Sequence, residues 1–310
     1  RLEGKGYKAY KDIAGAYDAG DFELWIDHVQ GDPFAAPSRV RLRREHDFPG
    51  WTYENGSRAV AMCDFLTRHV HASIRRHAQG GRGSGKSGVV GIDRPGQEVL
   101  ERTSVVLDGS WVEARLTVGL PAYGRRIAGR QAQALFGEEL PAIARDGLFW
   151  AALDARAVRD HLLLNEDADV LRDRLAERGL VAFVADGALL PRASGVDPRP
   201  LEGGVPFRSP ESMRVEMELP NRRVAGMGIP AGITLIVGGG YHGKSTLLRA
   251  LELGVYNHVG GDGRELVVAR PDAVKIRAED GRSVEKVDIS AFIDNLPQGK
   301  DTRHFRTPDA

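Results

Sequence analysis

Cysteine is nearly absent from this sequence. Cys63 is the one thiol, so no internal disulfide can form, and a reducing cytoplasm is the expected home. A surplus of either charge is absent too. Lys and Arg together number 43, as do Asp and Glu, so net charge points to no partner and any nucleic-acid surface must be a local one. Long hydrophobic runs are missing. Stretches such as residues 233–237 are the size of a strand and too short to cross a bilayer, so no membrane partner is expected. No secretory signal is read at the start, and because the chain opens on Arg1 rather than Met, its natural beginning is expected upstream. The histidines show no metal-ligand spacing, and one cysteine argues against a structural zinc site.

What is present is the composition of a folded protein, 42% hydrophobic and 28% charged over 310 residues, enough chain for two domains. Alternation predicts strands over Phe22–Ile26 and Arg39–Arg43, the second with arginines along one face. A helix is predicted over Ser57–Gln79, with Ser57 as its cap. Asp108-Gly109 joins two predicted strands, Thr103–Leu107 and Trp111–Val118, as a hairpin. Residues 124–178 read as helices interrupted at Pro141, Gly147 and Asn165, and Leu180–Ala185 as a buried strand. Pro and Gly crowd residues 191–210, which places a domain boundary there: 1–195, an α+β domain, and 196–310, a second domain. The second domain is expected to hold strands at Met213–Leu219, Ile233–Val237, Val267–Ala269, Ala273–Ile276 and Val284–Ile289, a turn at Asp280-Gly281, and a helix from Lys244 to about Leu253. The last ten residues carry no periodicity, and the chain is expected to stop mid-domain.

Gly238-Gly239-Gly240-Tyr241-His242-Gly243-Lys244-Ser245 satisfies G-x-x-x-x-G-K-[ST], the phosphate-binding P-loop. The pattern alone is common; its setting, after an apolar strand and before the helical run 246–251, is what the mechanism needs. Glycines let backbone N–H groups turn toward phosphate oxygens, and the helix start adds free donors and a positive dipole end. Lys244 is expected on the β- and γ-phosphates of ATP, the Ser245 hydroxyl on Mg²⁺, and Thr246 on the α-phosphate. A glycine loop that merely turns the chain is the bland alternative.

A second match, Gly80 to Ser87, follows a helix and precedes a strand, the reverse of the required order, so it is not expected to hold nucleotide. Its charge is unusual nonetheless. Between Phe65 and Ile92 there is no Asp or Glu, while Arg68, Arg75, Arg76, Arg82 and Lys86 are present. Two readings stand: a nucleic-acid backbone held by Arg75, Arg76, Arg82 and Lys86 on a flexible, donor-rich loop, or a solvated helix face with a mobile connector. Arg39, Arg41 and Arg43 could extend the first. Tyr7 and Tyr10, set among lysines, could stack on a base or form a partly buried pair. Asp186 ends an apolar strand as a Walker B aspartate does, but Asp186-Gly187 is better read as a turn.

The segment Pro230–Leu251, with Gly-Lys-Ser-Thr-Leu-Leu at its centre, is similar to the nucleotide-binding domains of ABC ATPases, although His242 stands where those carry a small residue. Wider stretches resemble the soluble "predicted ATPases of the ABC class": Gly6–Ile13, Ile26–Arg39, Gly83–Gly88, Gly96–Ser104, Leu180–Asp197, Val255–Glu265 and Asp272–Ser283. The resemblance implies an α/β protein, an N-terminal α+β domain followed by an ABC-type P-loop NTPase domain that is incomplete in this chain. It implies a homodimeric ATPase with ATP and Mg²⁺ as cofactors and, among kinetoplastid relatives, RNA as a partner. Family members continue into a signature sequence, a Walker B Asp-Glu pair and a switch histidine, so no catalytic base is assigned here and the chain by itself is expected to bind ATP without turnover. Rival readings are a P-loop kinase acting on a small molecule, and a nucleic-acid binding module with a non-hydrolysing P-loop.

Overall fold

Alternating apolar residues along the first half of the chain build an antiparallel sheet with one wet and one dry face. In this computed structural model, which describes residues 2–238, 241–276, 283–293, 295–296, 299 and 301–307, the sheet begins with β1 (Gly15–Asp18), β2 (Glu23–His28) and β3 (Ser38–Glu45). Helix α1 (Gly56–His77) follows, then β4 (Val90–Gly91), β5 (Glu98–Val99), β6 (Val105–Asp108) and β7 (Trp111–Val118). The order is β1-β2-β3-β7, and the far edge of β7 is shared by β6 and β4. Leu24, Ile26, Val40, Leu42, Val112, Ala114, Leu116 and Val118 point inward. Arg39 and Arg43 share the other face with Arg41, which Asp27 and Glu113 hold through its guanidinium. The predicted hairpin is present, with Asp108 opposite Trp111 and Gly109 in the left-handed region.

Helix α1 lays Met62, Leu66, Val70 and Ile74, four residues apart, against this core. Its cap is Asn55, whose side chain accepts from the Arg58 N–H; the Ser57 hydroxyl instead donates to Asp169. After a short ribbon of β8 (Ala122–Tyr123) and β9 (Arg126–Ile127) come α2 (Gly129–Ala134), a π-turn at Leu135–Glu139, α3 (Leu140–Leu148) and α4 (Ala155–Glu177). Pro141 falls in the first turn of α3, where a missing N–H costs nothing. Asn165 does not interrupt α4. It is buried mid-helix, and its amide donates to the Ser57 carbonyl and hydroxyl, joining α4 to α1.

Helix α4 enters a second layer. Strand β10 (Leu180–Ala185), β11 (Arg214–Glu218), β12 (Arg223–Pro230) and, beyond α5 (Lys244–Leu253) and β13 (Asn257–His258), β14 (Val267–Ala269) form an antiparallel sheet of order β11-β12-β10-β14. Leu171, Leu175, Phe183 and Val268 fill the α4 side; Val184, Ile229, Ala250 and Val267 fill the α5 side. Residues 191–210 form an irregular loop between strands of this sheet, tied by one bridge, Arg192 to Pro200. The strands β15 (Val284–Val287) and β16 (Phe305–Thr307) pair in a separate unit, residues 272–310.

Two expected strands are not formed. Residues 233–237 and 273–276 have no regular structure, and Ile233, Leu235 and Val237 stand 75–87% exposed. A strand exists through hydrogen bonds to a neighbour, and among the described residues no strand lies beside either segment. Asp280-Gly281 lies outside the described residues.

Candidate nucleotide site

The loop before α5 is bent by residues in the left-handed region. Gly243, at φ 79°, stands at the N-cap, where an L side chain would be strained, and Tyr241 adopts φ 62° despite its side chain. Gly239 and Gly240 lie outside the described residues. Helix α5 then starts at Lys244 with no capping side chain and no acid in its first turn, the setting in which a helix N-terminus favours an anion. The Lys244 ammonium folds back across the loop and donates to the Gly238 carbonyl at 2.7 Å. Ser245 and Thr246 line a cavity of about 390 Å³ together with Arg249, Arg192 and Glu98. Glu98 is brought there by β5, which pairs with β13. Beneath the cavity, fully buried Asp262 accepts from Arg192 at 2.9 Å, and the His258 ring lies 2.8 Å from it.

A family model for the P-loop domain of ABC ATPases matches residues 154–310, and one for the N-terminal domain of ATPases of the ABC class matches residues 1–150. The chain belongs to the ATPases of the ABC class. An uncharacterized protein of Methanocaldococcus jannaschii is 34% identical over 152 residues, 44% of this chain and 34% of that protein, so the match spans about a third of the relative's length. The α/β fold of this ABC-class ATPase thus combines an N-terminal domain with a P-loop domain, and ATP binding is supported by the family. No helix among the described residues is long and apolar enough to cross a membrane.

The second glycine loop of the ATPase is neither flexible nor rich in free donors. N–H groups of Arg82, Ser84, Lys86 and Gly88 donate to the carbonyls of Ser87, Ala122, Pro33 and Gly119. Gly119 is required there, because a Cβ on it would sit 1.7 Å from the Lys86 carbonyl oxygen. Arg82 is largely buried and ion-paired with buried Glu139 at 2.6 Å, and Arg76 pairs with Asp146 at 2.7 Å. Arg75 and Lys86 remain exposed. The expectation of four free cations is therefore revised to two. The pairing acids, Asp146 and Glu139, come from α3 and the turn before it, outside the acid-free run. Burial, with the charges of Arg94 and Arg75, holds the nearby His71 below its usual range.

Tyr7 and Tyr10 are buried, meet edge to face at 5.1 Å, and donate to the Leu120 and Pro121 carbonyls, which removes them as base-stacking candidates. Asp186 accepts from the Ser209 N–H and hydroxyl at 2.6 and 2.7 Å and from Arg214, a turn-fastening role. It lines a different cavity of about 970 Å³, away from Ser245 and Thr246.

That larger cavity contains a group the sequence did not announce. His161 on α4 is largely buried, and its Nε2 lies 3.6 Å from Asp64, too far for a hydrogen bond. Asp64 is an acid on the buried face of α1, held by Arg68 at 2.6 Å and Arg102 at 3.0 Å. Its place among the spaced apolar residues 62, 66 and 70 was the one available signal. Burial, with help from Arg68 and against Asp64, pushes the His161 imidazole down to about 4. The unfolded chain takes up that proton near 6.5, so between these values the unfolded state binds more protons and stability falls as pH drops. Urea unfolding is expected to show a loss of roughly 3 kcal/mol from pH 7 to pH 4 attributable to this group. His161→Leu should remove that part of the pH dependence; an unchanged slope would show that His161 titrates normally.

Proposed function

We propose that the protein binds Mg²⁺–ATP at residues 238–246 and hydrolyses it, and that it works as a homodimer coupling nucleotide to RNA. The observation that carries the nucleotide assignment is the closure of the loop by its own lysine, the Lys244 ammonium on the Gly238 carbonyl, above an uncapped helix start. A cation resting on a backbone carbonyl is exchangeable for a phosphate oxygen, a stronger acceptor. In this reading Gly238, Gly239, Gly240, Tyr241, His242 and Gly243 wrap the phosphates, Lys244 neutralises the β- and γ-phosphates, and Thr246 meets the α-phosphate. The Ser245 hydroxyl is exposed and is the oxygen ligand that magnesium chemistry requires, so the residues present fit the metal. Bound there, magnesium would supply charge neutralisation of the phosphates. No described residue is assigned as general base.

The nucleic-acid reading places RNA on the N-terminal part, residues 1–195, and nucleotide on residues 196–310. Its support is the exposed pair Arg75 and Lys86 with Arg94 beside His71. Single-stranded RNA binding should weaken with salt by about 0.7 log units per log unit for each cation engaged. Arg75→Ala combined with Lys86→Ala is expected to flatten the slope by about 1.4 while ATP affinity holds. A slope equal to wild type removes this face from RNA binding.

A further inference from the structure

Arg264 is the anomalous group beside the nucleotide helix. It is 2% exposed, and two of its nitrogens, Nε and Nη2, share one acceptor, the Leu190 carbonyl, while Nη1 has no partner among the described residues. Its neighbours are better served: Arg192 has Asp262 and Arg249 has Glu252. No carboxylate among the described residues pairs with Arg264. Burial, reinforced by the Arg192 charge and only partly opposed by Asp262, pushes its guanidinium down to about 10, the direction expected of a cation without a paired carboxylate. Buried charges are ordinarily paired, so an anion is the missing partner.

The cavity that Arg264 lines shows which anion. Ser245, Thr246, Arg249 and Leu253 line it from α5, and their spacing sets them along one flank of the helix. The cavity therefore starts at the first turn, where the P-loop ends, and runs toward the helix C-terminus. A nucleotide whose terminal phosphates sit in the loop must send its remaining phosphate and its nucleoside along some flank of α5, and this is the flank with room. At its rim Val196, 97% exposed, offers an apolar surface to a base. A planar guanidinium fork matches two oxygens of one phosphate. We propose that Arg264 is a nucleotide-binding residue, its fork holding the phosphate nearest the nucleoside, with the nucleoside lying in the cavity between α5 and residues 194–198. This rests on the reading of residues 238–246 as the ATP site.

The test compares ATP, ADP and AMP by calorimetry on wild type, Arg264→Met and Lys244→Ala. Arg264→Met is expected to weaken ATP and ADP by the same factor, tenfold or more, and AMP likewise where its binding is measurable. The nucleotide-free variant should melt no lower than wild type, because a buried cation that no carboxylate pairs with has been replaced by an apolar chain of similar length. Lys244→Ala should weaken ATP and leave AMP within twofold. Wild-type ATP affinity in Arg264→Met, with a lowered melting temperature, makes Arg264 a structural residue and overturns the proposal while the P-loop reading stands. Unchanged ATP binding in Lys244→Ala overturns the P-loop reading itself. Should Arg264→Met fail to fold, Arg264→Lys keeps the charge without the fork. It should lose about tenfold in ATP affinity, and wild-type affinity there overturns the proposal equally.

Discussion

Lys244→Ala lowers ATP affinity roughly tenfold to somewhat over a hundredfold. The lysine is expected to make a charge-assisted contact to the β- and γ-phosphates, worth about 1.5–3 kcal/mol, and each 1.4 kcal/mol is about a factor of ten. The fold should not suffer, since the side chain is only partly buried and donates to a carbonyl of its own loop. Titration calorimetry with Mg²⁺–ATP at fixed salt measures the change, and a melting curve of the free variant checks the fold. Affinity equal to wild type would mean that the loop only turns the chain.

Asp262→Ala is the substitution expected to damage the fold most. The carboxylate is fully buried and accepts from Arg192 Nη1 at 2.9 Å, from the Arg264 N–H at 3.3 Å, and lies 2.8 Å from His258 Nδ1. Removing it leaves Arg192 without its carboxylate and takes away an acid that opposes the buried Arg264 charge. Breaking a buried pair in this way costs about 3–5 kcal/mol, a large part of the 5–15 kcal/mol, roughly, that holds a typical domain together. Urea unfolding should show a midpoint shift of that size with little change in slope. Asp262→Asn keeps an acceptor and should lose less; a shift below about 1 kcal/mol in the alanine variant would mean that solvent reaches the network.

The elements legible in the sequence were those whose signal is local. The hairpin at Asp108-Gly109, the strand Leu180–Ala185 and the helix from Lys244 follow from turn chemistry and periodicity, and all three are present. The P-loop was legible because its glycines, lysine and helix are contiguous. Residues 233–237 misled because apolar content was read as a strand when, among the described residues, no neighbouring strand supplies hydrogen bonds. The second glycine loop misled for a complementary reason. Its acid-free run looks cationic along the chain, but the fold brings in Glu139 and Asp146 from 57 and 70 residues further along the sequence than the arginines they pair with. Arg264, Asp262 and His258 fell within a stretch of family resemblance but had no individual signal, since each sits in a short loop or two-residue strand and acquires meaning only by burial.

Helix α4 belongs to both cores. Val158 and Leu162 from its first two turns sit in the first core, while Leu164, Ala168, Leu171 and Leu175 serve the second. The two family models meet between residues 150 and 154, immediately ahead of this helix. A gene cut at that seam would carry away the P-loop part with two large apolar side chains stripped of their cover, each worth about 1.5–3 kcal/mol when buried. It would also strand Asn165, whose amide is fastened to Ser57 on the other side. The seam visible to sequence comparison is thus not a seam in the protein's mechanics. Residues 1–150 cover apolar surface that the P-loop part presents through α4, so an isolated P-loop fragment should be sticky in solution before it is inactive.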